Sequence, residues 1–294
     1  MTIVGIVGLG IMGGAIARNL LAAGMAVRGY DTDAARFEAL KPNGAATTSA
    51  GEAARGADVI LTSLPSINAL EATVASLLAA KVPGLVVAEL STLPIEAKEK
   101  ARTALAGGGI TLLDCPLSGT GAQAVTRDLA VYASGERAAY DRAEPVFRGF
   151  ARVTHYLGAF GNGSKMKFVA NLLVAVHNVA SAEAMVLGAR AGLDPETIVK
   201  VIASGAGTSR VFELRAPLMA KSDYAPTMKI DIWQKDMTII ADFARSLGVP
   251  VPTFAASAPI YDAAQAAGFG GEDTAAVAKV LAARATAAGR KSGG

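Results

Sequence analysis

The run Gly8-Leu9-Gly10-Ile11-Met12-Gly13 constrains this chain more than any other stretch, because of what lies on either side of it. Residues 3–8 form a short apolar strand, and Ile16, Leu20 and Leu21 then recur at helical spacing until Gly24. Ala26-Val27-Arg28-Gly29-Tyr30 reads as a second strand ending at Asp31. A lone G-x-G-x-x-G is weak evidence. At the strand-to-helix turn of a βαβ unit, with an acid about 20 residues on, it is a dinucleotide-binding pattern. Gly8 allows the tight turn, Gly10 lets the backbone approach a pyrophosphate, and Gly13 permits close helix–strand packing. Leu9, Ile11 and Met12 complete the turn, and the helix N-terminus supplies N–H groups and positive dipole to phosphates. Asp31 would accept hydrogen bonds from the two adenosine ribose hydroxyls. A 2′-phosphate would be repelled by Asp31 and Asp33. Arg28 precedes the strand end and Arg36 lies a turn into the next helix, so neither is well placed to attract one. The pattern therefore favours NAD over NADP.

More α/β units follow. Residues 58–63 form a strand running into Leu64-Pro65-Ser66-Ile67-Asn68, then a helix to about Leu78. Residues 85–90 form another, ending in Ser91-Thr92, with a helix from Pro94. In a doubly wound sheet, ligands lie beyond the carboxyl ends of the strands, where Leu64, Pro65, Asn68 and Thr92 fall. Taken singly, each also fits ordinary turn and N-cap chemistry. The strand 110–113 leads into the turn Asp114-Cys115-Pro116-Leu117-Ser118-Gly119-Thr120-Gly121. A strand over 129–133, a helix to about Phe150 and a strand over 152–156 close the sheet. Ser118-Gly119-Thr120 offers successive N–H groups and two hydroxyls suited to a carboxylate. After Gly192 no strand pattern appears, and Asp194-Pro195-Glu196 starts a series of helices by a cap followed by Pro. They continue over 211–219, 233–247, 253–267 and from Asp273 to about Ala288, with residues 289–294 reading as a disordered tail. The first domain thus spans residues 1–163. An all-α second domain, 164–294, begins with a long helix.

Composition narrows the function. Of 294 residues, 52% are hydrophobic and 18% charged, enough for a sizeable core. The net charge of +3 is scattered and no aromatic ladder is present, which argues against nucleic acid. One cysteine, Cys115, and two histidines, His155 and His177, give neither a disulfide framework nor metal-ligand spacing, so no metal is expected. Cys115 has no base near it in sequence and reads as a small packed residue. The N-terminal segment reads as a strand, not a signal peptide, which places the chain in the cytoplasm by default. The long helix is apolar enough to suggest a membrane span. Asn171, His177, Asn178 and Glu183 interrupt it, so burial within the protein is the expectation.

The stretch from Gly158 to Asn171 combines a loose glycine turn (Gly158, Gly161, Gly163) with Lys167 and Asn171 four apart, on one helix face. An amine and a carboxamide beside a turn open to a ligand make a candidate site. With these residues placed, the chain resembles the β-hydroxyacid dehydrogenase family, which includes 3-hydroxyisobutyrate and tartronate-semialdehyde dehydrogenases. The resemblance spans nearly the whole chain. Gly8 through Gly13 match the cofactor signature, and Asp114 through Gly119 the substrate turn. Gly158 through Asn171 match the catalytic segment. Leu64 through Asn68, Ser91-Thr92 and Lys235-Asp236 match further cofactor contacts. The resemblance implies NAD(P)-dependent interconversion of a short β-hydroxy acid and its semialdehyde. It also implies a Rossmann-like N-terminal domain, a long linking helix, an all-α C-terminal domain and assembly as homodimers or homotetramers.

In that reading Lys167 takes the hydroxyl proton during oxidation and returns it during reduction. To act as a base it must be neutral, so partial burial would have to lower its pKa from the unperturbed ~10.4. Asn171 orients the hydroxyl, and Ser118, Gly119 and Thr120 clamp the carboxylate. Lys165 competes for the catalytic role but faces elsewhere on the helix. Three departures bear on the substrate: Thr120 stands where the family commonly has a second glycine, Ala170 where Asn is frequent, and Arg210 where smaller residues are usual. The alternatives are a 6-phosphogluconate dehydrogenase-like activity, which places His at the position of Ala170, an imine reductase, which replaces the lysine, and a non-catalytic dinucleotide-binding scaffold.

Overall fold

The computed structural model describes residues 1–291. Two compact units divide the chain, Met1–Lys167 and Phe168–Gly294. The first is built on a six-stranded parallel sheet. Its strands are β1 (Ile3–Val7), β2 (Ala26–Tyr30), β3 (Ala45–Ala46), β4 (Val59–Thr62), β5 (Val86–Glu89) and β6 (Thr111–Asp114), in the order β3-β2-β1-β4-β5-β6. The order reverses direction between β1 and β4, so the carboxyl ends of these two strands open a crevice.

Side chains alternate across this sheet with period two, which explains its near-continuous apolar strands. Val4, Ile6, Val59, Leu61, Val86, Ala88 and Leu113 face one core, shared with helix α1 (Ile11–Ala22) through Ile16 and Leu20. Val7, Ile60, Val87 and Leu112 face the other. There they meet α2 (Ala50–Ala54), α3 (Ile67–Ala80) and α4 (Ile95–Gly107) through Ala53, Leu70, Leu77 and Leu105. Gly13 is fixed by the first of these contacts: a Cβ there would lie 1.9 Å from the Gly8 carbonyl oxygen. No side chain can be added without pushing α1 off β1.

The later strands depart from the sequence expectation. Residues 152–156 do not close the main sheet. A second sheet of three strands forms instead, in the order β7-β8-β9, from β7 (Leu117–Ser118), β8 (Ala130–Ala133) and β9 (Val153–Tyr156). β7 and the short helix α5 (Gly121–Val125) occupy what the sequence presents as one turn, because segments so short carry almost no periodic signal. α6 (Arg137–Arg148) packs Ala143 and Phe147 into the core shared with α1.

Helix α7 (Asn162–Arg190) begins in the first unit and continues into the second. It is the one described helix long and apolar enough to cross a membrane. Its polar interruptions have internal partners: the Asn178 Nδ2 donates to the Tyr261 hydroxyl and to the Thr274 carbonyl, each at 2.9 Å. The remaining helices of the second unit are α8 (Pro195–Ala203), α9 (Arg210–Lys221), α10 (Ile230–Ser246), α11 (Pro252–Ala264) and α12 (Val277–Lys291). α12 takes in the first three residues of the expected tail, 289–291; the rest of that expectation, 292–294, lies outside the described residues.

Asp273 ties this unit together. Its buried carboxylate accepts from the backbone N–H groups of Thr227, Met228 and Ala275 and from the Thr227 hydroxyl, with Arg215 at 3.4 Å. Burial alone would raise its pKa. Arg215 and these donors outweigh burial and hold it below the usual aspartate value. A depressed carboxylate adds stability above its unfolded value, near 4, which is lost as pH falls through the folded value. Asp273→Ala should therefore cost the second unit about 3 kcal/mol at neutral pH and flatten its acid unfolding. Urea titrations followed by fluorescence of Trp233, the single tryptophan, read this unit alone.

Candidate functional site

The first βα turn carries the cofactor candidates, in unequal roles. Gly8 has a positive φ of 90°, and its N–H donates to the Tyr30 carbonyl. Leu9 is not a free contact: its side chain is in the core and its N–H donates to Asp31 Oδ2 at 2.7 Å. Gly10 caps α1 with no side-chain acceptor, and no acid stands in the first turn. Asp31 accepts from the Leu9 N–H just before this helix end, and no side chain caps the N–H groups of the first turn itself. Ile11 and Met12 follow, with Ile11 exposed. A Cβ at Gly10 would meet only the flexible end of Arg36, at 3.2 Å. This cradle of bare backbone at a helix N-terminus fits a pyrophosphate.

Beside it lies a cavity of about 300 Å³, lined among others by Tyr30, Asp31, Arg36, Leu64, Pro65 and Thr73. Its polar end at Asp31 and apolar wall at Leu64 and Pro65 match the ribose and base of an adenosine. Asn68 stands outside this lining, exposed on the first turn of α3, whereas Ala69, Ala72 and Thr73 from the same helix line it. Thr92 is half-buried directly after Ser91, whose hydroxyl accepts from the Leu64 N–H at 2.7 Å.

Arg36 overturns one expectation. Residues Ala34–Leu40 form a tight 3₁₀ helix capped by Asp33, not an α-helix leading away from the strand. The guanidinium returns to the cavity, 3.5 Å from Asp31 and 3.4 Å from Asp33. Arg28 does point away, donating to the Arg55 carbonyl.

The substrate-turn candidates also separate. Ser118 ends β7, paired with Ala130, and Gly119 follows at φ 136°. Thr120 is engaged within the chain. Its N–H donates to Gln123 Oε1 at 3.0 Å and its hydroxyl accepts from the Gln123 N–H, a capping box that starts α5. Two of the groups counted toward a carboxylate are thus used locally; Ser118 and Gly119 remain. Cys115 is fully buried. Burial, and then the Asp114 charge, push its thiol well above the ordinary value, which leaves it inert.

Lys167 is 8% exposed, in the first turns of α7. Lys165 is exposed, 3.3 Å from Asn162 Oδ1. The glycines before them differ from the expected loose turn: Gly158 and Gly161 have positive φ, but Gly163 lies inside the helix. A Cβ at Gly163 would come within 2.2 Å of the Tyr132 carbonyl oxygen and 2.7 Å of the Asp114 one. This glycine lets the helix seat on the strand ends, with no room left for a ligand.

In the second unit Asn171 is buried, and its Nδ2 donates to Asp236 Oδ2 at 3.0 Å. Lys235 Nζ stands 3.6 Å from the other oxygen of the same carboxylate. Asp236 was visible in sequence only as the neighbour of Lys235. Arg210 is exposed at the start of α9, 3.2 Å from Glu213. Among the described residues no three His, Cys, Asp or Glu side chains group as a metal site.

Residues 3–158 match the family model described as the NAD binding domain of 6-phosphogluconate dehydrogenase. Residues 161–281 match that described as NAD-binding of NADP-dependent 3-hydroxyisobutyrate dehydrogenase. The chain is 38% identical over 286 residues to an L-threonate dehydrogenase of Cupriavidus necator, covering 95% of each chain. It is 32% identical to a 2-(hydroxymethyl)glutarate dehydrogenase of Eubacterium barkeri, covering 94% of each. Among solved structures, a 3-hydroxyisobutyrate dehydrogenase from Salmonella typhimurium superposes with a TM-score of 0.87 at 33% identity, over 95% of this chain and 100% of that one. The bare cradle, the adenosine-sized cavity and these full-length relatives agree: the chain belongs to the β-hydroxyacid dehydrogenase family and is an NAD(P)-dependent oxidoreductase acting on the CH–OH group of β-hydroxy acids.

Proposed function

We propose that Lys167 is the general acid/base of this dehydrogenase and that its substrate is a short, polyhydroxylated β-hydroxy acid of the L-threonate class. The observation that supports the first part is a lysine residue held at 8% exposure on a helix whose first turn is seated against Asp114 and Tyr132, on β6 and β8. Lys165, the rival two residues earlier, lies in solvent. The substrate class rests on the name of the 38% identical relative.

A nicotinamide dinucleotide held by the Gly8–Gly13 turn and the Asp31 cavity would supply the hydride acceptor or donor; the chain must place the carbinol carbon and move one proton. In oxidation Lys167 Nζ, neutral, takes the hydroxyl proton as the C–H bond breaks; in reduction the ammonium returns it. Ser118 and the Gly119 N–H hold the carboxylate. For Asn171, as orienter of the hydroxyl, and for Lys235 and Thr92, as cofactor contacts, the assignment rests on the family pattern. The first unit serves as the dinucleotide-binding domain, the second as the substrate and oligomerisation domain, and the enzyme acts in the cytoplasm on free small molecules.

NAD is proposed over NADP. Asp31, Asp33 and Arg36 leave one net negative charge at the ribose end of the cavity, which disfavours a 2′-phosphate. Arg36 narrows the preference without reversing it. A homodimer or homotetramer is proposed from the stripe Met166, Val169 and Leu173 on α7, which is 43%, 55% and 48% exposed. Large apolar side chains three and four apart form one continuous face of the kind that a second copy covers.

With NAD and L-threonate, Lys167→Ala should lower kcat by about 10³-fold or more while NAD affinity stays within about threefold; Lys165→Ala should retain near-normal kcat. The opposite pattern reassigns the base, and turnover of no acid in a panel with serine, glycerate and 3-hydroxyisobutyrate defeats the substrate class. kcat/KM should favour NAD over NADP by about tenfold or more, a difference of about 1.4 kcal/mol; parity or reversal in an absorbance assay at 340 nm (roughly the nicotinamide band) sinks the cofactor choice. Val169→Glu should shift the sedimentation of the assembled enzyme toward monomer, and an unchanged value places the interface elsewhere.

A further inference from the structure

Beneath the carboxyl ends of β5 and β6 lies a group of charged residues that the proposed chemistry does not use. Lys98, on α4, has no exposed surface. Its Nζ lies 2.6 Å from Glu89 Oε2 and 2.8 Å from Asp114 Oδ1, and it donates to the Ser91 carbonyl at 2.7 Å. Both carboxylates are equally buried. Each of its three partners stands at the root of a site segment. Glu89 Oε1 accepts from the Ser91 N–H, and Ser91 Oγ holds the Leu64 N–H of the cofactor loop. Asp114 opens the substrate turn that continues to Ser118.

Asp114 is also the seat of α7. Its Oδ2 accepts from the Ser164 N–H and its Oδ1 from the Ser164 hydroxyl, each at 2.7 Å. Ser134 Oγ lies 3.3 Å from Oδ2 and accepts from the Gly163 N–H at 2.9 Å. Ser164 precedes Lys167 by three residues, so it lies beneath it on the same helix face. The group as a whole carries one positive and two negative charges. Its net negative charge sits at the N-terminus of a 29-residue helix, where the dipole favours it.

We propose that Lys98 and Ser164 are positioning residues for Lys167. The buried ammonium fixes the Asp114 carboxylate, and that carboxylate fixes the height and rotation of the helix turn bearing the amine. Both roles rest on Lys167 being the acid/base. A geometry error of about 1 Å at a reacting group costs roughly 10²-fold in rate, so a two-point anchor one turn away is large enough to matter.

The test uses Ser164→Ala, which removes one anchor bond and leaves the charges intact, with Ser164→Thr as the conservative variant. Lys98→Met strips the cation from two buried carboxylates and serves as the stronger perturbation where the protein folds. Two readouts are needed. In the cofactor-free enzyme, the acetylation rate of Lys167 by acetic anhydride, resolved by peptide mass spectrometry, should rise at least fivefold in Ser164→Ala. In the loaded enzyme, kcat should fall about tenfold while NAD affinity and substrate KM stay within twofold, and Ser164→Thr should restore most of both. An altered labelling rate in a protein whose wild type oxidises no hydroxy acid upholds the anchor and refutes the acid/base reading. Unchanged labelling overturns the proposal. So does unchanged kcat in an active enzyme, or a loss confined to thermal stability.

Discussion

One ammonium with no exposed surface holds the ends of two neighbouring strands and, through them, the segments that make the site. Two carboxylates buried side by side repel each other, and each would lose several kcal/mol of hydration uncompensated. The Lys98 charge between Glu89 and Asp114 makes both tolerable. Desolvation alone would push the lysine toward neutrality; the Asp114 and Glu89 charges overcome it and raise its pKa above the ordinary value. A raised lysine contributes stability that is complete below its unfolded value, near 10.4, and lost only above it. This junction therefore stays charged throughout the range in which a dehydrogenase works, in contrast to the proton-cycling role proposed for Lys167. Lys98 and the proposed reacting lysine, Lys167, both belong to one compact unit.

Much of the fold was legible because its cause is local. Strand, glycine turn, helix and acid occur in one continuous run, and each residue needs only its neighbours to be understood. Gly13 is required because a Cβ there would lie 1.9 Å from the carbonyl oxygen of Gly8, five residues away. The parallel strands declared themselves through buried apolar runs, and the helical second unit through Pro and Asp caps such as Asp194-Pro195. Where elements are two to five residues long, as in β3, β7 and α5, no period can establish itself; the strands at 130–133 and 153–156 are legible in sequence, but β7 and their separation into a second sheet are not. Arg36 was misplaced for a related reason: a 3₁₀ turn and an α-helix share their first residues, and only the tighter winding returns the side chain to Asp31.

The site was legible as a set of positions but not as a set of roles. Sequence puts Leu9, Thr120 and Gly163 in ligand-facing turns; the structure engages each of them internally, through Asp31, Gln123 and the strand carbonyls. The Thr120–Gln123 pair has the spacing of a capping box and could have been read; the partners of Leu9 and Gly163 are set by the fold, and no spacing rule reports them. Lys98 shows the same blindness from the other side. It does not stand out in sequence on a helix that carries several Lys and Glu residues, yet its side chain is buried against partners nine residues before it and sixteen after.

Why a charged junction should occupy a place that apolar packing could fill follows from what has to be held there. Apolar contact is nondirectional and tolerates small slides of one element over another. A helix that presents an amine to a reacting hydroxyl must be fixed in rotation as well as in distance. The Asp114 carboxylate provides this, because its two oxygens bind the N–H and the hydroxyl of a single residue and so define an orientation. Replacing ions by apolar groups is often neutral or favourable for stability, so stability gives little reason to keep them. Placement of Lys167 gives one: the ammonium orients the carboxylate, the carboxylate orients Ser164, and the helix carries that orientation one turn further to the amine.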